Sequence, residues 1–302
     1  MNTSFSPALL GTLSMMACAF LWSVAGLFIK ILDWNPFLIA GMRSLIAFLF
    51  LFAIARSVRL TWSWPLVGTA LANAATMLLF ISANKTTTAA NAILLQYLAP
   101  VFTAILGVFI LKEHVRREQV IALLLTPVGM ALLFFDRLST GQLLGNMLAL
   151  TSAVTFALMF IFTRMQKEGN PLQSLMASHA ITAIIALSVA VFLPVPRITP
   201  AAVGSIVVLG VLQIGLATLF FSYGIKRVSA VTANLIALIE PVFNPVWVFL
   251  LLREVPSAQS LLGGFLIIGS VAAASVITGW RMDRGASKRG RRESNLETFE
   301  IN

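Results

Sequence analysis

Two ionisable side chains lie inside long apolar runs, where a charge is costly unless it serves a site. Glu240 lies about eleven residues into the run 229–252, and Arg43 lies about seven residues into the run 36–55. At about 1.5 Å per residue, Glu240 would lie roughly 16 Å from the cytoplasmic end of its helix and Arg43 roughly 10 Å from the outer end of its own. In a hydrocarbon core about 30 Å thick, the two side chains would then lie within about one helical turn of each other in depth. An unpaired charge there costs about 2.5–3.5 kcal/mol and usually faces a cavity or a partner. The pair predicts a buried polar site.

Each of these two side chains has two roles open to it. Glu240 could be a proton-coupling carboxylate that takes up a proton from one side of the membrane and releases it to the other. Alternatively it could bond Arg43, or backbone freed by Pro241, and never titrate. Arg43 could hold an anionic group such as a carboxylate, which the planar guanidinium suits, or it could extend towards the outer headgroups.

Further polar and aromatic side chains in the apolar runs extend the candidate site. His179 could relay protons, or it could form a neutral hydrogen bond between helices. Amides and hydroxyls offer hydrogen bonds to a substrate, although in membranes such groups often only join helices. The predicted substrate-binding or coupling residues are Glu240, Arg43, Gln96, Tyr97, Trp22, Asn73, Asn244 and His179.

The sequence predicts a protein that is not an enzyme and that uses no metal or cofactor. Its one cysteine is Cys18, and its two histidines have no neighbours at metal-ligand spacing. It contains no Walker-type loop and no set of nucleophile, base and acid.

The elements that must position these side chains are membrane-spanning helices. The chain is 59% apolar and only 11% charged, whereas soluble domains carry about a quarter charged residues. Its apolar runs of about 20 residues match the length that crosses a bilayer as a helix, and no period-2 barrel pattern occurs. We predict an all-α membrane protein with ten transmembrane helices, at residues 8–30, 36–55, 64–83, 88–111, 118–135, 142–164, 172–194, 202–223, 229–252 and 257–280.

The chain also contains an internal repeat. Residues 88–113 recur at 229–254, shifted by 141 positions, although Ala99 stands where the second copy has Glu240. Self-similarity at about half the chain length indicates a duplication. Because each half holds five spans, an odd number, we expect two inverted five-helix repeats, at 8–135 and 142–280.

Inverted repeats are typical of alternating-access carriers, whose substrate site lies near the midplane between the halves. Pro100 and Pro241 occupy matching places in the repeat and interrupt their helices. We expect these prolines to act as hinges beside the site, or else as static kinks.

The basic residues set the orientation. With a cytoplasmic N-terminus, the inside segments hold 15 Lys and Arg residues and the outside loops hold 5. This bias predicts that both termini are cytoplasmic. The net charge of +10 is therefore a feature of topology and does not indicate nucleic-acid binding. The segment 281–302 has almost no apolar residues and is predicted to be a disordered cytoplasmic tail.

As a set, several short motifs resemble the EamA-type branch of the drug/metabolite transporter superfamily. They are Ala19 to Ser23 followed by Lys30, Pro36 with Arg43, Pro100 to Phe102 with Glu113, and Glu240 to Phe243 with Glu254. The resemblance covers about 8–280. It implies a bacterial inner-membrane carrier, commonly an exporter of amino acids or other small metabolites, with a central cavity lined by both halves.

Our functional hypothesis is a secondary transporter that exports a small metabolite such as an amino acid by alternating access, with proton coupling through Glu240. The alternative is a membrane sensor or lipid-handling scaffold that transports nothing. The expected partners are a small-molecule substrate and the lipid bilayer. Gly263, Gly264 and Gly269 permit close helix contact, either within the molecule or across a homodimer face.

Overall fold

The computed structural model describes residues 6–25, 28–29, 32–55, 62–135, 142–194, 196–252 and 257–278. Within these ranges, the side chains at positions 244, 245, 248, 251 and 252 are outside the description. The predicted tail 281–302 also lies outside the described residues.

The described residues form ten helical elements and no β-strand, which confirms the all-helical prediction. In chain order they are α1 Pro7–Ser23, α2 Pro36–Ala55, α3 Trp64–Thr86, α4 Ala89–Ile110, α5 Arg117–Leu133, α6 Leu143–Met165, α7 Pro171–Ala190, α8 Pro200–Gly224, α9 in the two segments Ala230–Ala237 and Ile239–Leu252, and α10 Ala258–Thr278.

Local sequence explains where the helices begin. A side-chain oxygen immediately before the helix accepts a hydrogen bond from a backbone N–H of the first turn. Asn35 does this for α2, where Pro36 then takes the first helical position and needs no donor partner. The same capping occurs at Ser6, Ser63, Thr88, Asn170, Thr199 and Ser229.

Seven helices in the described part of the chain are long and apolar enough to cross a membrane, namely α2, α3, α4, α6, α7, α8 and α10. Their bounds agree with the predicted spans to within about four residues. In the first span, predicted at 8–30, α1 ends at Ser23 and Val24 forms a turn, but Ala25, Phe28 and Ile29 are helical again. Large apolar side chains are exposed on the outside of the bundle, including Phe265 at 83% and Leu124 at 70%, as expected for a surface that faces lipid.

Two of the helices are interrupted at matching positions of the repeat. The first segment of α4 ends at Gln96, and the first segment of α9 ends at Ala237. Pro100 and Pro241 follow four residues later, and each lacks the N–H that would bond the carbonyl of that last residue. The missing hydrogen bonds therefore account for both breaks, at Tyr97–Leu98 and at Leu238.

The middle of α8 is a π-helix over Leu209–Leu216. This segment packs very closely on α2. A Cβ atom on Gly210 would lie 2.5 Å from the Ile46 side chain and 3.2 Å from the Arg43 carbonyl oxygen. Glycine is thus required at 210, and the wide helical turn sits directly against the part of α2 that carries Arg43. Wide turns of this kind often occur at functional sites.

The glycines predicted to permit close helix contact serve internal packing in two of three cases. Gly263 of α10 packs against the backbone of α5 at Gly129 and Leu133, and Gly264 faces Val242 of α9. Gly269 has no neighbouring atom within 4 Å of its would-be Cβ. Homodimer formation through this face remains a prediction.

Candidate functional site

A cavity of about 810 Å³ lies between the helices, within the range of about 300–1,000 Å³ found for small-molecule sites. Each of the ten described helices contributes to its wall. One residue from each, in the order α1 to α10, is Trp22, Arg43, Asn73, Gln96, Leu133, Phe156, His179, Gln213, Glu240 and Ser260.

Seven of the eight predicted site residues line this one cavity: Glu240, Arg43, Gln96, Tyr97, Trp22, Asn73 and His179. The eighth, Asn244, has its side chain outside the described residues. Pro100 and Pro241 are buried behind the wall and do not line it. Both prolines lie within about one turn after the helix breaks. Tyr97, in the first break, lines the cavity.

Glu240 and Tyr97 meet across the two interrupted helices. The Tyr97 hydroxyl lies close to the Glu240 carboxyl group, within reach of a side-chain hydrogen bond. Tyr97 lies in the break of α4, and Glu240 is two residues beyond the break of α9. Each interruption therefore contributes one member of the contact.

Arg43 interacts with Glu240 electrostatically but does not form a direct ion pair with it. The ion pair found among the described residues, with an N···O distance within 4.0 Å, joins Arg164 to Glu113 and involves neither Arg43 nor Glu240. Arg43 Nε is buried and has no hydrogen-bond partner in the part of the chain that is described. The cavity wall thus holds a guanidinium and a carboxyl group, each partly buried, that are close but separated.

His179 joins α7 to α8 beside this cation. Its Nε2 atom lies 3.2 Å from the Thr218 hydroxyl, and its ring interacts electrostatically with the guanidinium of Arg43. The other ring nitrogen, Nδ1, is buried without a partner among the described residues. The sequence left two roles open for His179, a hydrogen bond between helices and a proton relay. In the structure Nε2 is available for the first role, and Nδ1 is available for the second.

Two amides of the wall are tied to neighbouring helices. Asn73 Nδ2 donates to Ser178 Oγ at 2.7 Å, which links α3 to α7. Gln96 Nε2 donates to Ser152 Oγ at 2.9 Å, which links α4 to α6. These bonds fix the orientation of both amides and hold the wall together, as polar groups between membrane helices commonly do.

Aromatic rings form an apolar part of the wall. The Trp22 ring lies 5.8 Å from the Phe221 ring and 6.3 Å from the Phe156 ring, measured between centroids. The T-shaped pair of Phe160 with Phe221 supports them from behind. This part of the cavity can take an apolar portion of a ligand.

Among the described residues, those that line the cavity extend to one end of the helix bundle. Residues from the α1–α2 connection, the end of α3, the end of α5 and the start of α10 all line it, including Trp34, Asn84, Phe134 and Ser257. At this end, Trp34 Nε1 also donates to the Arg197 carbonyl of the α7–α8 connection at 3.3 Å. We call this the open end.

At the opposite end of the bundle, a network centred on Arg164 joins several helices. Its Nε donates to Glu113 Oε1 at 3.0 Å, and its Nη1 donates to the carbonyls of Ile225 at 2.9 Å and Lys226 at 2.6 Å. Glu113 Oε2 in turn accepts the Ala230 N–H at 3.0 Å. These residues belong to the ends of α4, α6 and α8 and the start of α9, so the network joins four helices. We call it the Arg164 network.

Comparison with known proteins identifies the family. The EamA-like transporter family matches residues 9–135 and again residues 143–276. The chain belongs to this family. It is therefore a multi-pass membrane transporter and not an enzyme.

Similar curated proteins are also named as transporters. An uncharacterized transporter of Archaeoglobus fulgidus is 29% identical over 72% of this chain and 76% of its own. An uncharacterized transporter of Synechocystis sp. is 25% identical over 71% of this chain and 66% of its own. A solved crystal structure with 22% identity covers 90% of this chain and 98% of its own at a TM-score of 0.78, which shows the same fold.

Sequence reasoning missed one prominent residue of this EamA transporter's cavity. Gln213 lies in the π-helix, is 6% exposed, and has a buried Oε1 atom with no partner among the described residues. The available signal was that Gln213 is the single amide in the apolar run 200–224, between Gly210 and Gly215. Thr218, the partner of His179, was missed as well.

Proposed function

We propose that this EamA transporter is a secondary carrier that exports a small polar or amphipathic metabolite, such as an amino acid, across the bacterial inner membrane by alternating access. The observation that carries the proposal is the cavity of about 810 Å³, which combines a separated cation and anion, Arg43 and Glu240, with an aromatic wall. A site of this size and character suits one small molecule with both charged and apolar parts.

Ten transmembrane helices in two inverted repeats, 8–135 and 142–280, would give this carrier its two access states. The matching breaks at Tyr97–Leu98 and Leu238 support the repeat, because the same proline effect occurs at equivalent places. Broken helices in corresponding positions surround the substrate sites of other carriers. Rocking of one half against the other would then expose the cavity first to one side and next to the other.

The Lys and Arg distribution supports a topology in which both termini are cytoplasmic. In that orientation the open end faces the outside, and the Arg164 network lies at the cytoplasmic face. The described conformation is then the outward-open state, from which an exporter releases its substrate. Opening towards the cytoplasm requires the Arg164 network to break, because it joins helices of both halves.

Proton coupling would follow if one carboxylate serves both the proton and the substrate. An ionised Glu240 attracts a positively charged group of the substrate, whereas a proton on Glu240 removes that attraction. Loading from the cytoplasm and proton binding from the outside would therefore exclude each other at Glu240. Mutual exclusion of this kind produces exchange of one proton for one substrate.

The transport test is uptake of a pooled set of labelled amino acids and small metabolites into proteoliposomes that contain the purified protein. We expect at least one compound to cross with saturable kinetics, and unlabelled excess of the same compound to compete with it. Protein-free vesicles are the control. No saturable movement of any compound would contradict the carrier.

A further inference from the structure

We propose that Arg43, His179 and Gln213 form a subsite that binds the carboxylate of the substrate, and that this subsite makes the carrier selective for zwitterions. The inference rests on the proposed function, since it assigns a ligand class to the same cavity. It adds Gln213 and the π-helix of α8 to the residues that determine specificity.

The three side chains come from helices that pack directly on each other. The close approach at Gly210 fixes α8 against α2 beside Arg43, and the His179–Thr218 hydrogen bond fixes α7 against α8. The three residues therefore occupy one continuous region of the cavity wall.

Each of the three side chains has a buried polar atom that the described protein leaves unpartnered, namely Arg43 Nε, His179 Nδ1 and Gln213 Oε1. Leaving such an atom without a partner costs about 1–3 kcal/mol. By contrast, Asn73 and Gln96 in other parts of the same wall hydrogen-bond to serines. The concentration of unmet hydrogen-bonding capacity on α2, α7 and α8 points to a ligand group that supplies it.

A carboxylate fits the chemistry of the three residues. Arg43 provides a permanent positive charge and a planar face of N–H donors that can bind both carboxylate oxygens. His179 donates from Nδ1 in the tautomer in which Thr218 donates to Nε2. Gln213 can present its NH₂ group after a half-turn of the amide, because the two ends of an amide have nearly the same shape.

Glu240 completes the selection for zwitterions. Its carboxylate is held by Tyr97 and interacts with Arg43 without direct contact. A ligand with both an ammonium and a carboxylate satisfies both charges, whereas a ligand with one charge leaves the other buried and unpartnered. Sites built around buried polar groups reject the analogue that lacks the matching group far more strongly than apolar pockets do.

The test measures binding to the full-length protein in lipid nanodiscs by isothermal titration calorimetry. The probes are L-leucine, 3-methylbutylamine, which lacks its carboxylate, and 4-methylpentanoate, which lacks its ammonium. We expect wild-type protein to bind L-leucine at least about tenfold more tightly than either analogue. Equal affinity for L-leucine and the amine, or no binding of L-leucine, would overturn the proposal.

Two variants assign the selectivity to the subsite. We expect Arg43→Gln to lower L-leucine affinity about tenfold or more while leaving 3-methylbutylamine affinity within about threefold. Gln213→Glu places a negative charge against the ligand carboxylate, so it should weaken L-leucine and strengthen the amine. A loss of structure would instead weaken all probes together, which thermal unfolding of each variant would reveal.

Arg227→Gln is the matched control, because it removes a guanidinium that stacks on the exposed Tyr223 ring away from the cavity. It should bind all three probes as wild type does. Selectivity unchanged in both Arg43→Gln and Gln213→Glu would overturn the subsite. Selective binding without transport would instead contradict the proposed function and leave the subsite standing.

Discussion

The Tyr97 hydroxyl lies close to the Glu240 carboxyl group, and through this contact the breaks of α4 and α9 meet at the cavity. The two residues are far apart in the chain but occupy nearly equivalent places in its repeat, because residue 97 corresponds to 238. The two copies of the repeat therefore differ at the positions that line the cavity. One half supplies a hydroxyl, and the other supplies Glu240, whose partly buried carboxyl group interacts with Arg43.

Replacing Glu240 by glutamine separates proton coupling from substrate movement. Glutamine keeps the shape and can still hydrogen-bond with Tyr97, but its charge cannot change. We expect Glu240→Gln to lose accumulation driven by a pH gradient and to retain exchange of internal for external substrate at a measurable rate. Both are read in proteoliposomes; driven accumulation at the wild-type level would remove Glu240 from the coupling role.

Replacing Pro241 by alanine tests whether the break in α9 is a hinge. Alanine supplies the N–H that the Ala237 carbonyl lacks, so it favours a continuous helix. We expect Pro241→Ala to fold and to slow turnover about tenfold or more. The matched control is Pro127→Ala, which changes a proline inside the uninterrupted helix α5. Turnover that is equal in both variants would make the break a static kink.

Breaking the Arg164 network should shift the carrier away from the outward-open state. We expect Arg164→Gln to reduce labelling of a cysteine introduced by Ser260→Cys at the open end, in a Cys18→Ala background, by an impermeant maleimide. The loss of Arg164 removes its hydrogen bonds to Glu113 and to two carbonyls, so the fall should be several-fold. Lys112→Gln is the control, since Lys112 is an exposed neighbouring cation outside the network.

Unchanged labelling in Arg164→Gln, with normal expression and thermal stability, would show that the network does not hold the cytoplasmic end closed. Glu113→Gln provides a second check, because it weakens the same contact from the other side. Opposite effects of the two substitutions would also contradict a common latch.

Removing Ser178 tests the stability that buried polar contacts provide. Ser178→Ala leaves the Asn73 amide without its 2.7 Å partner between α3 and α7. An unsatisfied buried polar group costs about 1–3 kcal/mol, so the apparent Tm in detergent should fall by several degrees. Ser205→Ala on α8 is a comparison at a buried serine. A Tm equal to that of wild type would make the contact energetically neutral.

The helices of this EamA transporter were predictable because each feature that defines them is local. About 20 apolar residues specify a span, and a side chain such as Asn35 before Pro36 specifies a beginning. The breaks in α4 and α9 were also accessible, since Pro100 and Pro241 remove defined hydrogen bonds. Seven residues of the predicted site line the cavity because ionisable and polar groups in an apolar span usually face the interior of the bundle rather than lipid.

What the sequence missed depends on contacts between distant segments. Glu113 lies beside Lys112 in the chain, but in the structure its partner is Arg164, 51 positions away. Gln213 could not be placed because a π-helix rotates the side chains that follow it relative to an α-helix, and nothing local in 209–216 specifies that wider turn. The sequence predicts similar depths in the bilayer for Arg43 and Glu240. Similar depth alone does not determine whether two side chains form a direct contact.

The central claim, a carrier that exchanges protons for substrate, is tested most directly by gradient-driven uptake into proteoliposomes that are acidic inside. We predict that at least one labelled amino acid or small metabolite accumulates above its external concentration as protons leave. Accumulation should grow with the imposed pH gradient and collapse with a protonophore. Equilibration to the external concentration regardless of the gradient would contradict the claim.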